Sequence, residues 1–160
     1  MNWSYLIGQE LIKKKMEYLL SSNQVPHAQL FSGSPGYGVL PLVIEFSLML
    51  LNHKSDSDSA NGLGKVSQNP DLHFVFPVVK RGSEKIVYSH DYAKEWSTFL
   101  NESPYGDYSN WFELISVGNK QGIIGIEEIK NLHKKMFLKA FRGKKKLCIL
   151  WGVEKMNTQA

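Results

Sequence analysis

Apolar positions along the chain change period several times, and each change predicts an element. Between residues 8 and 22, Ile12, Met16, Leu19 and Leu20 recur at i, i+4, i+7 and i+8, one face of a helix, with Lys13, Lys14 and Lys15 mostly off that stripe. Ser21, Ser22, Asn23 and then Pro26 end it. Residues 28–31 form a short apolar run that predicts a strand, and the run from Val39 to Leu51 is long enough for a buried helix. Residues 52–69 are polar, rich in Ser, Asp and Gly, and predict an exposed loop. Leu72, Phe74 and Phe76 alternate with His73, Val75 and Pro77, a strand that Pro77 ends or places at an edge.

After a turn at 80–83, residues 85–88 predict a short returning strand. Residues 91–101 predict a helix with Asp91 as N-cap, and Trp111, Phe112 and Ile115 a further short helix. Residues 119–125 read as a glycine-bearing turn. A helix is expected over 126–141, with Ile126, Ile129, Leu132, Met136 and Phe137 on one face, closed by the basic run 142–146. The apolar run 147–151 has strand length and suits a sheet covered on both faces.

Composition narrows the class without naming a function. The chain has 160 residues, is 42% hydrophobic and 21% charged, and carries a formal net charge of +4. That fits one globular domain, mildly basic, which permits contact with nucleic acid without requiring it. Cys148 is the only cysteine, which excludes disulfides and cysteine zinc sites within the chain. His53 and His73 stand apart with no third ligand near them, so no metal site is expected. The first residues lack the apolar core of a signal peptide and no 18-residue apolar run follows, so the expected location is cytoplasmic.

Eight aromatic residues crowd positions 88–112: Tyr88, Tyr92, Trp96, Phe99, Tyr105, Tyr108, Trp111 and Phe112. They read as a small satellite core under an insertion at 80–118, as a partner surface anchored by Tyr92, Trp96, Trp111 and Phe112, or, third because basic residues are not regularly interleaved, as a stacking platform for single-stranded nucleic acid.

The stretch with candidate chemistry is Gly33, Ser34, Pro35, Gly36, Tyr37 and Gly38, set between the expected strand and helix. Strand, glycine loop and helix is the layout of a phosphate-binding loop, whose N–H groups and helix N-terminus hold an anion. The GxxxxG spacing should continue into Lys and Ser or Thr, for the phosphates and Mg²⁺. Val39 and Leu40 stand there instead. The second half of such a site is an acidic strand end that holds Mg²⁺. Here the strand ends in Trp151 and Gly152, with Glu154 two residues on.

Several motifs follow one another in order: Ile7, Gly8 and Gln9; residues 26–31 running into the glycine loop; Asn69, Pro70, Asp71, Leu72 and His73; Ile126, Glu127, Glu128, Ile129 and Lys130; and Glu154, Lys155, Met156 and Asn157. In that order they resemble the N-terminal part of a bacterial clamp-loader subunit of the AAA+ class, the delta-prime type of DNA polymerase III. The resemblance implies a three-layer P-loop domain of the AAA+/RecA-like kind over residues 1–160, with a mostly parallel sheet truncated at the C-terminus. The α-rich aromatic insertion lies within it, and the lid and collar domains are absent from this chain.

The resemblance also implies a non-hydrolysing subunit that helps load the sliding clamp onto primed DNA during replication, with no ATPase of its own. The implied partners are the other clamp-loader subunits, primer–template DNA indirectly, and the sliding clamp, with no membrane. Many relatives carry a four-cysteine zinc module before the Asn69–His73 motif; residues 52–68 contain no cysteine, so no zinc is carried over. No cofactor is expected beyond an anion or nucleotide weakly held by the loop. In the fold resembled, a strand from beyond Ala160 separates 28–31 from 147–151. Without it the two runs are expected to pair directly or to borrow a strand from a second copy. The alternatives are a P-loop enzyme with an atypical site, for which Glu154 and Lys155 are the nearest candidates, and a protein-interaction module.

Overall fold

Leu72 to Val75 and Leu147 to Leu150 pair in parallel, with Leu72 opposite Leu147 and Val75 opposite Leu150. The computed structural model describes residues 3–51, 63–80, 86–115, 120–141, 145–158 and 160. In chain order the elements are α1 (Glu10–Ser21), α2 (Val39–Leu50), β1 (Leu72–Val75), α3 (Ala93–Glu102), α4 (Tyr108–Leu114), α5 (Ile126–Phe137) and β2 (Leu147–Leu150). Short 3-10 turns lie at Leu63–Gln68, Ser89–Tyr92 and Val153–Lys155. A parallel pair needs a long crossover, and α3, α4 and α5 lie within it. The α/β architecture with a parallel sheet is therefore present, in two-stranded form.

The strand expected at 28–31 does not form. Both ends of β2 bond to β1, Leu147 N–H to Asp71 O and Trp151 N–H to Val75 O at 2.8 Å each. Among the described residues no strand pairs with 28–31, and Leu30 is 82% exposed. A strand exists only through its neighbour's hydrogen bonds, so an apolar run without one stays irregular. The expected direct pairing of 28–31 with 147–151 is thus not made.

Other boundaries shift for local reasons. In α1 the buried side chains are Lys13 and Met16 rather than the whole apolar stripe, and Leu11 and Ile12 are exposed. The Lys13 ammonium pairs with Glu10 at 3.1 Å. Residues 63–68 are helical with Leu63 and Gly64 buried, not an exposed loop. Asp91 is not the N-cap of α3; its carboxylate accepts the Tyr88 N–H at 2.8 Å inside the preceding 3-10 turn. Residues 86–88 form no strand. The last helix stops at Phe137, where Leu138 turns to extended backbone. The expectations for 52–62, 81–85, 116–119 and 142–144 lie outside the described residues.

One apolar cluster joins Leu40 and Ile44 of α2, Leu72 of β1, Ile149 of β2, and Tyr92, Trp96, Phe99 and Trp111. The aromatic segment therefore has no satellite core of its own; it supplies the main one. Trp96 stacks on Phe76 at 4.0 Å between ring centroids and meets Trp111 edge-on at 5.3 Å. The Trp111 indole N–H donates to Pro77 O at 2.8 Å. Two four-residue strands offer little apolar area. Each large ring buries roughly 150–250 Å², worth ~4–6 kcal/mol of transfer free energy as an upper figure. The rings are what make a core of this size feasible.

Candidate functional site

Residues 33–38 turn at the surface, and α2 follows them. Tyr37 N–H bonds to Ser34 O at 3.2 Å, closing a turn. Gly36 at φ 83° and Gly38 at φ 78° take left-handed backbone that side chains disfavour. Gly38 caps α2, its carbonyl accepting the Leu42 N–H at 3.1 Å.

The residues after the loop turn to apolar neighbours. A Cβ built on Gly33 would lie 2.7 Å from Val39 Cγ2, so the valine methyl rests on the glycine at the loop's other end. Leu40 is buried in the main cluster. Ser34, Pro35, Gly36 and Tyr37 remain exposed.

Residues 4–7 run beside the loop and are held from two sides. Glu45, buried on α2, accepts the Tyr5 N–H at 2.7 Å. Burial pushes the Glu45 carboxyl above its usual range, partly offset by backbone N–H bonds from residues 4–6 and by the charge of Lys13. From the other side, Tyr105 places its hydroxyl between Tyr5 and Ile7, donating to Tyr5 O at 3.0 Å and accepting the Ile7 N–H at 2.8 Å. Its ring lies against Gly38, where an added Cβ would come within 2.7 Å of Tyr105 Cε1 and 2.9 Å of Leu6 Cδ1. The Gln9 side chain donates to Tyr37 O at 3.3 Å.

The end of β2 is built from rings rather than carboxylates. Trp151 packs at 5.4 Å from Trp96, 5.5 Å from Phe99 and 4.7 Å from Tyr108. Gly152, at φ 83°, turns the chain into the 3-10 turn beneath Tyr108, whose hydroxyl would lie 2.7 Å from a Cβ there. That hydroxyl donates to Glu154. The Lys155 ammonium stands 5.5 Å from the centroid of the same ring. Glu154 and Lys155, the candidates for an atypical nucleotide site, are thus both engaged by Tyr108.

The four residues considered for a partner surface divide unequally. Tyr92, Trp96 and Trp111 are at most 1% exposed, and only Phe112 is partly exposed. Packing accounts for the first three, and a fully interior ring cannot anchor a partner. Tyr105 and Tyr108 were visible in the sequence as aromatic residues. No local pattern ties them to Gly38 or Gly152, since those contacts join residues far apart in the chain.

A cavity of about 250 Å³ lies along β1, lined in part by His73, Ser89, Trp96, Glu128 and Lys135. Neither the glycine loop nor the end of β2 lines it. Among the described residues no group of three or more His, Cys, Asp or Glu could hold a metal, and no helix is long and apolar enough to cross a membrane.

One comparison bears on the family. The model of the family described as DNA polymerase III, delta subunit, matches residues 8–160. The chain belongs to that family. Membership places it among the clamp-loader-related subunits of DNA polymerase III and ties its role to replication. Searches of curated proteins and of solved structures find no match to this family member.

Proposed function

We propose that the chain is the N-terminal, AAA+-like P-loop domain of a clamp-loader subunit of the delta-prime type, one that does not hydrolyse ATP. The observation that carries this reading is the state of Val39 and Leu40. Both positions that would handle phosphate and Mg²⁺ are apolar, one resting on Gly33 and the other buried in the core. Transfer of a phosphoryl group depends almost wholly on positioning and on cationic stabilisation of its charge. Neither position offers a cation. Trp151 and Gly152 at the strand end support the same reading, since neither can ligate Mg²⁺.

In this role the domain is a fixed member of the assembly that opens the sliding clamp and places it on primed DNA. Its partners are the other clamp-loader subunits, with primer–template DNA and the clamp met through the assembly, in the cytoplasm. It works without a resident cofactor. The test has two arms. The purified chain should show no ATP turnover above buffer background, and it should bind subunits of its own clamp loader. Turnover abolished by Gly38→Asp overturns the non-hydrolysing role; failure to bind any clamp-loader subunit overturns the role in the assembly.

A further inference from the structure

Two helices and a strand edge enclose the cavity beside β1. Glu128, Leu132 and Lys135 fall at i, i+4 and i+7 of α5, one face of that helix, and line one side. Ser89, Ala93 and Trp96, from the 3-10 turn and α3, line the other. Every residue of β1 takes part and none of β2, which places the cavity at the edge of β1 away from β2. Gln68, Pro70, His90 and Ala93 are exposed and form its mouth, while Phe76, Ser89, Trp96 and Glu128 are buried and form its floor.

Hydrogen-bonding groups are left over in this place. Among the described residues three buried side-chain atoms find no partner, Glu45 Oε2, His73 Nε2 and Trp96 Nε1, and two of those three residues line the cavity. A buried donor without an acceptor is costly, so such groups mark where a ligand or water completes a site. The strand edge adds more. Asp71 O and Val75 O accept from β2, so residues 72, 74 and 76 turn their peptide groups to the other edge. Ser89 Oγ bonds both groups of Phe76 at 3.1 Å, and Leu72 N–H goes to Asn69 O at 3.2 Å. Between them the Phe74 peptide offers a donor and an acceptor.

Charge on the lining is balanced. Glu128, whose carboxylate accepts the Ser89 N–H, faces the same cavity as Lys135. Burial, then the charges of Lys146 and Lys135, hold His73 below its ordinary value against the pull of Asp71, so its imidazole is uncharged at neutral pH.

We propose that this cavity is a binding site for a small uncharged aromatic amide. Its carbonyl gives the Trp96 indole N–H the acceptor it lacks, and an amide edge is complementary to the peptide edge of Phe74. Pro70, Phe76, Trp96 and Leu132 supply apolar walls for the ring. The volume of about 250 Å³ suits one ring with a substituent, since roughly 150 Å³ is enough for benzene. Opposite charges on the lining give an ion no advantage over a neutral ligand. The site is independent of the glycine loop, which does not line it.

Titration of the isotope-labelled chain with benzamide, benzoate and toluene, three molecules of one shape, tests this by nuclear magnetic resonance. The Trp96 indole N–H signal, identified as the one that Trp96→Phe removes, should move on adding benzamide. Benzamide should bind at least about tenfold more tightly than toluene or benzoate, and Trp96→Phe should weaken it about fivefold. Ala93→Leu, at the exposed mouth, should weaken it about tenfold or more with the melting temperature little changed. Toluene binding as tightly as benzamide overturns the amide assignment, and benzoate binding more tightly overturns the uncharged one. No movement at Trp96 with any of the three means that water alone fills the cavity and overturns the site. Should Trp96→Phe fail to fold, Ala93→Leu carries the test, and unchanged benzamide affinity in that variant overturns the location.

Discussion

Residues 28–38 and residues 86–115 are both dense in residues that shape a fold, the first in glycines and the second in rings, but they occupy opposite environments. Leu30 is 82% exposed, and the loop that follows it lies at the surface. Trp96 and Trp111, by contrast, are at most 1% exposed and touch residues of β1 and α2 in one cluster. The first region carries backbone geometry and almost no burial. The second carries burial and no chemistry. A loop on the rim can exchange a lysine for a valine with little effect on stability, because its shape depends on left-handed glycines. A ring cluster in the interior tolerates little, because packing there is dense. Apolar residues at positions 39 and 40 and retention of the fold are therefore compatible.

The largest effect expected from breaking this contrast is at Trp96. Trp96→Ala should cost about 3–5 kcal/mol, read as a fall in the urea midpoint, because it empties the centre of the cluster. Among the described residues the buried indole N–H of Trp96 finds no hydrogen-bond partner. Trp96→Phe should therefore cost clearly less than Trp96→Ala, since no bond is broken. If truncation leaves the midpoint unchanged, the insertion is not the core.

Within the rim, the two left-handed glycines of the loop should separate. Gly36→Ala meets no atom within 4 Å and should cost only the backbone penalty of about 1–2 kcal/mol. Gly38→Ala meets Tyr105 and Leu6 as well, so its melting temperature should fall further. Equal losses would mean that Tyr105 does not press on the loop.

Asp107 sharpens the comparison from the insertion side. Replacing this N-cap with alanine should cost about 1 kcal/mol and shorten α4, seen as a loss of helical signal on heating. Smaller still is a pH effect beside the core. Burial, then the charges of Lys146 and Lys135, hold the His73 imidazole below its ordinary value, against the opposing pull of Asp71. The unfolded chain then binds that proton more readily, so stability should fall as pH drops through about 6.5 and level off below the folded value. His73→Phe should remove that part of the slope between pH 7 and pH 5. Least of all, Leu30→Ser on the exposed run should shift stability by no more than about 0.5 kcal/mol. A loss as large as that of Trp96→Ala would erase the contrast between the two regions.

Sequence alone determined the elements whose signals are local. The amphipathic period of residues 8–22, the apolar segment after Gly38, the alternation at 72–76, the helix opening at Ile126 and the run at 147–150 each lie within a few turns or pairs of residues. That Val39, Leu40, Trp151 and Gly152 carry neither a cationic nor a carboxylate side chain was legible for the same reason, since it needs only residue identity. Tertiary structure decided the rest. Residues 28–31 fit a strand by composition, but strand formation depends on a neighbour that no local window contains. Whether Trp96 and Trp111 face solvent or the interior depends on what packs over them, so their aromatic character left two readings open. Tyr105 reaches Tyr5 across 100 positions and Tyr108 reaches Glu154 across 46. Contacts of that range leave no periodic trace in sequence, because they depend on how elements pack once formed and not on the pattern that forms them.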